Sequence, residues 1–133
     1  MERNELAIDT ITIDCIDPEL VTRFWIDLLG YKVVPNNTNS IQTGHPSNRG
    51  PRMLFTPAGE AKREKNRIHF DLRPENQSES VERALALGAH VTEIGQSGEE
   101  SWVVLCDPEG NEFCILQSKT DFERFSEDLE PHA

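Results

Sequence analysis

Two short stretches set reactive side chains two residues apart. In NRIHFDL, residues 66–72, His69 and Asp71 alternate with Ile68, Phe70 and Leu72. In NEFCILQ, residues 111–117, Glu112 and Cys114 alternate with Phe113 and Ile115. A strand turns alternate residues to opposite faces, so each stretch offers an apolar face and a reactive one. An imidazole titrates near neutral pH and serves as acid, base or metal ligand. His69 is therefore a candidate acid–base or ligand-binding group and a candidate metal ligand. The alternative is a histidine hydrogen-bonded to Asp71 or a neighbouring strand, with a structural role only. Desolvation beside an apolar side chain, here Trp102, or a nearby like charge raises a carboxylate pKa and makes it a usable base. This makes Glu112 the second candidate base, against a solvated rim position. Cys114 reads as a small buried filler ahead of a nucleophile, because no helix N-terminus or cationic neighbour is evident to activate it.

The same parity extends the reactive face to other strands. If Ile11 and Ile13 pack under a helix, Thr10, Thr12 and Asp14 face the other way. Leu54, Thr56, Trp102 and Val104 join the set by the same rule. A lining with one Trp, one His and carboxylates at Asp14, Asp71 and Glu112 suits a small organic ligand held by a few polar anchors. Trp102 offers a ring for a planar or cationic ligand.

The elements that must position these residues follow from periodicity and turn chemistry. ITIDCID (11–17) alternates as a strand. Asp17 and Pro18 then start a helix whose apolar residues recur at helical spacing, and Gly30 closes it. Phe24 and Trp25 are neighbours, so one of them is expected to face outward or into an interface. YKVVP, SIQTG and RMLFT read as strands, with GHPSNRGP (44–51) as a loop. PAGEAKREKN (57–66) reads as a polar connection whose KREK run coats a loop or closes over an anionic ligand. NRIHFDL is a strand and SVERALALG (80–88) a helix. HVTEI, SWVVLCD and NEFCILQ are strands, the last two joined by the DPEG turn. DFERFSEDLE is a candidate amphipathic helix through Phe122 and Phe125.

The order is strand, helix, three strands, twice over. LLGYKVV (28–34) resembles ALGAHVT (86–92), Gly30 matching Gly88, and the same offset of 58 carries Thr56 onto Cys114. The predicted fold class is α+β: two βαβββ modules, about 6–58 and 66–118, in one domain of residues 1–118 with an acidic tail at 119–133.

Bulk properties narrow the function. The chain has 133 residues and a net charge of −11, with 24 acidic against 13 basic residues. Nucleic-acid binding needs a basic footprint, which is lacking, and anionic membranes are disfavoured for the same reason. Residues 101–133 carry eight acids against two bases, so much of the acidity belongs to the tail. Three cysteines form no spaced metal or disulfide motif and suit a reducing compartment. With no apolar leader in MERNELAIDT, a cytoplasmic location is expected.

LLGY, NRIHFDL and DPEGNEFC in this order resemble the vicinal oxygen chelate superfamily of glyoxalase I, extradiol dioxygenases and bleomycin-resistance proteins, over roughly residues 6–118. The resemblance is to a glyoxalase-like branch. It implies curved four-stranded sheets forming a ligand cleft, helices on their convex faces, and a homodimer. It also implies metal-ligand positions at Thr10, Thr56, His69 and Cys114. Only His69 there is a strong ligand, so a divalent metal is not favoured. The function implied is lyase- or isomerase-type proton transfer on a small molecule, with His69 or Glu112 as base. The alternative is noncatalytic binding of a drug or metabolite, as in bleomycin-resistance proteins.

Overall fold

The computed structural model describes residues 5–36, 38–92, 102–121 and 123. By its internal contacts the chain divides into two units, Met1–Ala61 and Lys62–Ala133.

In the first unit β1 (Thr10–Cys15) leads to α1 (Pro18–Leu29), then β2 (Lys32–Val34), β3 (Ile41–Gly44) and β4 (Arg52–Pro57). Asp17 caps α1, its Oδ1 accepting from the Leu20 backbone N–H at 3.2 Å, and Pro18 sits where a missing N–H costs nothing. Gly30 ends the helix at φ 72°, a left-handed conformation that favours glycine. Val21, Phe24 and Trp25 lie at spacings of three and four, and this stripe faces the sheet. The expectation that Phe24 or Trp25 turns outward is corrected: both are 2% exposed and meet edge to face at 5.2 Å. A stripe of this width holds two adjacent residues, and Leu20 goes to solvent instead. Met53 and Phe55 are buried, so the alternate residues Leu54 and Thr56 belong to the other face of β4.

The second unit repeats the order: β5 (Phe70–Leu72), α2 (Gln77–Ala86), β6 (His90–Val91), β7 (Trp102–Cys106) and β8 (Glu112–Leu116). Asn76 caps α2 through the Glu79 N–H at 3.0 Å. Among the described residues its core is lighter, with Ala84 from the helix and Leu105, Phe113 and Ile115 from the sheet.

The sheets run β1-β4-β3-β2 and β5-β8-β7-β6, each with one parallel pair, β1 with β4 and β5 with β8. The remaining pairs are antiparallel. This is an α+β fold of two four-stranded mixed sheets with helices. The internal repeat holds at the level of register. Asp14 stands opposite Thr56 on β4, and Asp71 stands opposite Cys114 on β8. The offset is 58 between Thr56 and Cys114 but 57 between Asp14 and Asp71, because the connections on either side of α2 are longer than those of α1 and outweigh its shorter helix, 10 residues against 12. The repeat therefore matches His69 with Thr12, not with Thr10.

The strand expected over 66–72 pairs only from Phe70. The Asn66 N–H is used on the Glu112 side chain instead of a ladder, and Ile68 is left exposed. The latter part of HVTEI, the GQSGEE turn, Phe122 and Phe125 lie outside the described residues. No helix among the described residues is long and apolar enough to cross a membrane.

Candidate functional site

β8 positions the site. The turn before it is held by Asp107, fully buried, whose carboxylate accepts from the Glu109 and Asn111 backbone N–H groups and from Asn111 Nδ2, each at 2.9 Å. Gly110 takes φ 90°, which a side chain would resist. This gives the DPEGN signature a structural role, fixing where the next strand begins. Beyond it Phe113 and Ile115 pack into the core, and Glu112, Cys114 and Leu116 turn to the opposite face.

That face lines a pocket of about 440 Å³ bounded by Lys65, His69, Asp71, Trp102, Val104, Glu112, Cys114 and Leu116. Six residues of the sequence-derived face meet here: His69, Asp71, Trp102, Val104, Glu112 and Cys114. Thr10, Asp14 and Thr56 belong to the first unit. There the Thr10 hydroxyl donates to Asp9 at 2.6 Å, Thr56 shares a hydrogen bond with Ser40 at 3.1 Å, and Asp14 is exposed. Leu116 was not among the sequence-derived residues, although extending the alternation of β8 by one step reaches it. Lys65 belongs to the KREK run, whose closure over an anionic ligand was one expectation, but its loop has no period that would assign it to this face.

At the polar end, His69 Nε2 lies 3.2 Å from Asp71 Oδ1, and both side chains are about half exposed, 44% and 52%. The Cys114 sulfur lies within 4.8 Å of the His69 and Asp71 donor atoms. Burial, then the Asp71 carboxylate, push the thiol pKa up to about 11, with Lys65 opposing them. A thiol so protonated is no nucleophile at neutral pH, in keeping with its reading as filler.

Glu112 differs from expectation. It is only 8% exposed, and its carboxylate accepts from Lys62 Nζ at 2.8 Å and the Asn66 N–H at 2.9 Å. Burial alone would raise its pKa, but these donors together bring it below the usual value. The raised pKa expected from apolar Trp102 is therefore reversed, and the carboxylate is a weak base already occupied by two donors. Asn66 Nδ2 adds a bond to Asn111 Oδ1 at 3.3 Å. Residues 62 and 66 thus strap this segment to the start of β8, while Arg63, Glu64 and Lys65 between them stay exposed.

The metal set implied by the resemblance falls on Thr10, Thr56, His69 and Cys114. Neutral hydroxyls bind divalent ions poorly, and both threonine hydroxyls are engaged with neighbours. These four positions do not fit a resident divalent metal.

A family model described as a glyoxalase-like domain matches residues 10–116. A comparison with curated proteins finds no match. Among solved structures the chain is similar to the trypanothione-dependent glyoxalase I of Leishmania major, at 17% identity over 94% of this chain and 96% of that one, TM-score 0.66. It is also similar to a glyoxalase/bleomycin resistance protein/dioxygenase family enzyme from Burkholderia phytofirmans PsJN, at 18% identity over 84% and 98%, TM-score 0.65. A glyoxalase-related enzyme from Fulvimarina pelagi aligns at 18% identity over 84% and 88%, TM-score 0.62. At these identities the structures speak for the fold, and the family match covers most of the sequence. The chain belongs to the glyoxalase-like family of the vicinal oxygen chelate superfamily.

Proposed function

We propose that the pocket of the second unit binds a small organic molecule, and that His69 moves a proton on it in a lyase- or isomerase-type step. The observation that carries this is the His69–Asp71 pair at 3.2 Å, set in a pocket whose wall includes Trp102, Val104 and Leu116. A proton held on Nε2 by Asp71 leaves the Nδ1 lone pair for the substrate, and the carboxylate stabilises the imidazolium that forms. The chemistry that suits this pair is abstraction of a proton next to a carbonyl. The C–H proton passes to Nδ1, the electron pair goes to the carbonyl oxygen, and the proton returns to a neighbouring atom. Lys65, on the same lining, is the cation available to the developing oxyanion. Glu112 is assigned to positioning.

The test is solvent-deuterium exchange into a panel of small α-carbonyl compounds, followed by NMR. His69→Gln is expected to slow exchange by about 10²–10⁴-fold with binding retained. Exchange at the wild-type rate in this variant would remove His69 from the reaction.

Binding without turnover is the second reading, favoured by the Trp102 ring, 41% exposed among apolar neighbours. Saturable quenching of tryptophan fluorescence, lost in Trp102→Ala, with no deuterium exchange in any compound, would select it. A cationic ligand is less favoured than the sequence suggests, because Lys62 neutralises Glu112 and Lys65 lines the pocket. Pairing of two copies, as the resemblance implies, is part of this proposal and is read by sedimentation equilibrium. A cytoplasmic location is also part of it, supported by three free thiols.

A further inference from the structure

The four family positions fail as a metal set, yet the second unit contains a different one. His69, Asp71 and Cys114 each offer a donor atom, and the three atoms lie within 4.8 Å of one another. The 3.2 Å between His69 Nε2 and Asp71 Oδ1 is close to the edge of a tetrahedron around an ion with bonds of 2.0–2.1 Å, about 3.3–3.4 Å. The parallel register of β5 and β8 sets Asp71 opposite Cys114, and His69 stands two residues before Asp71 on the same side. Backbone pairing thus sets Asp71 opposite Cys114, and His69 joins them from the residue just before the strand. The matching register positions of the first unit hold Thr12, Asp14 and Thr56, which supply a single ligand-type side chain.

We infer that His69, Asp71 and Cys114 form a three-donor site for a thiophilic divalent transition metal, zinc(II) being the ion that an N, O and S donor set fits best. All three donors come from one module, and Asp71 takes a role outside the positions the family resemblance implies. Three protein donors leave a coordination position for water or ligand. The metal displaces the Cys114 proton on binding. Occupancy engages His69 and so competes with the proton transfer proposed above, and the test reads the metal without turnover, keeping the two readings separable.

The full chain, reduced, stripped with chelator and desalted, is titrated with cobalt(II) as a spectroscopic stand-in for zinc. The expected result is a thiolate-to-cobalt charge-transfer band saturating at one equivalent and discharged by zinc(II). Cys114→Ser removes the band. His69→Ala and Asp71→Asn each weaken cobalt binding by at least about tenfold, since even outer-shell changes cost about 10–100-fold. Cys114 is buried, so circular dichroism checks that its variant folds; the other two alter exposed side chains and carry the test alone if it does not. No thiolate band in the wild type overturns the inference. So does a band that survives Cys114→Ser, which would locate the metal on Cys15 or Cys106, or a band indifferent to both His69→Ala and Asp71→Asn.

Discussion

The Cys114 thiol is held in its protonated form by burial and by the Asp71 carboxylate. A rise from 9.0 to about 11 reduces the thiolate fraction at neutral pH about 100-fold. In metal-free protein at pH 7.5, alkylation of Cys114 followed by peptide mapping is therefore expected to run at least about 100-fold slower than for a free cysteine. Asp71→Asn removes a charge that opposes ionisation and should speed the reaction without restoring the free rate, because desolvation is the larger cause. A wild-type rate near that of free cysteine would contradict the burial and the effect of the Asp71 charge together. Much of this chemistry was legible in the sequence. The pleat has a period of two, so His69, Asp71, Trp102, Glu112 and Cys114 could be assigned to one face from alternation alone. The direction of the Glu112 shift was not legible. It depends on Lys62, 50 residues away in a segment with no periodicity, and on a backbone N–H that no sequence pattern names.

At the scale of elements, the strap from Lys62 to Asn66 and the turn from Asp107 to Asn111 converge on the first residue of β8. Both Glu112 oxygens are used, one on a cation and one on a backbone donor, and such charge-assisted bonds are worth more than neutral ones. Glu112→Gln at pH 7 is expected to cost about 1–3 kcal/mol in urea unfolding, from a charged hydrogen bond weakened in a buried site. The pH dependence has a definite sign. The folded carboxyl has a lowered pKa, so the unfolded chain binds more protons as the solution is acidified. This stabilisation is complete above the ordinary glutamate pKa of about 4.3 and is lost as pH falls through the folded value. The gap between wild type and Glu112→Gln should therefore narrow on going from pH 7 to pH 3; a constant gap would mean that the strap does not depend on the charge. The caps were readable in the sequence, since Asp17-Pro18 and Gly30 act through local chemistry. The start of β5 was misjudged, because a long-range side chain captured the Asn66 N–H that strand propensity would have given to a ladder.

The two units share a topology but not a core. The first buries Trp25, Phe24, Phe55, Met53 and Val21, while the second relies on Phe113, Leu105 and Ile115. α1 places four residues in its core and α2 only Ala84. Large aromatic side chains remove the most apolar surface from water, so among the described residues the first unit has the greater hydrophobic burial. The polar pocket residues and the half-exposed Trp102 lie in the lighter unit. Regions with few buried apolar contacts open locally before the whole molecule does. Native-state hydrogen exchange is therefore expected to give α1 and β4 amides at least about tenfold higher protection than α2 amides. Equal slowest rates in both units would instead mean that they unfold as one cooperative structure. The doubled topology was visible in the repeat of LLGYKVV and ALGAHVT, but this asymmetry was not. It arises from which helix residues the sheets cover, and the ten residues of α2, with three acids or bases among them, leave little apolar surface to cover.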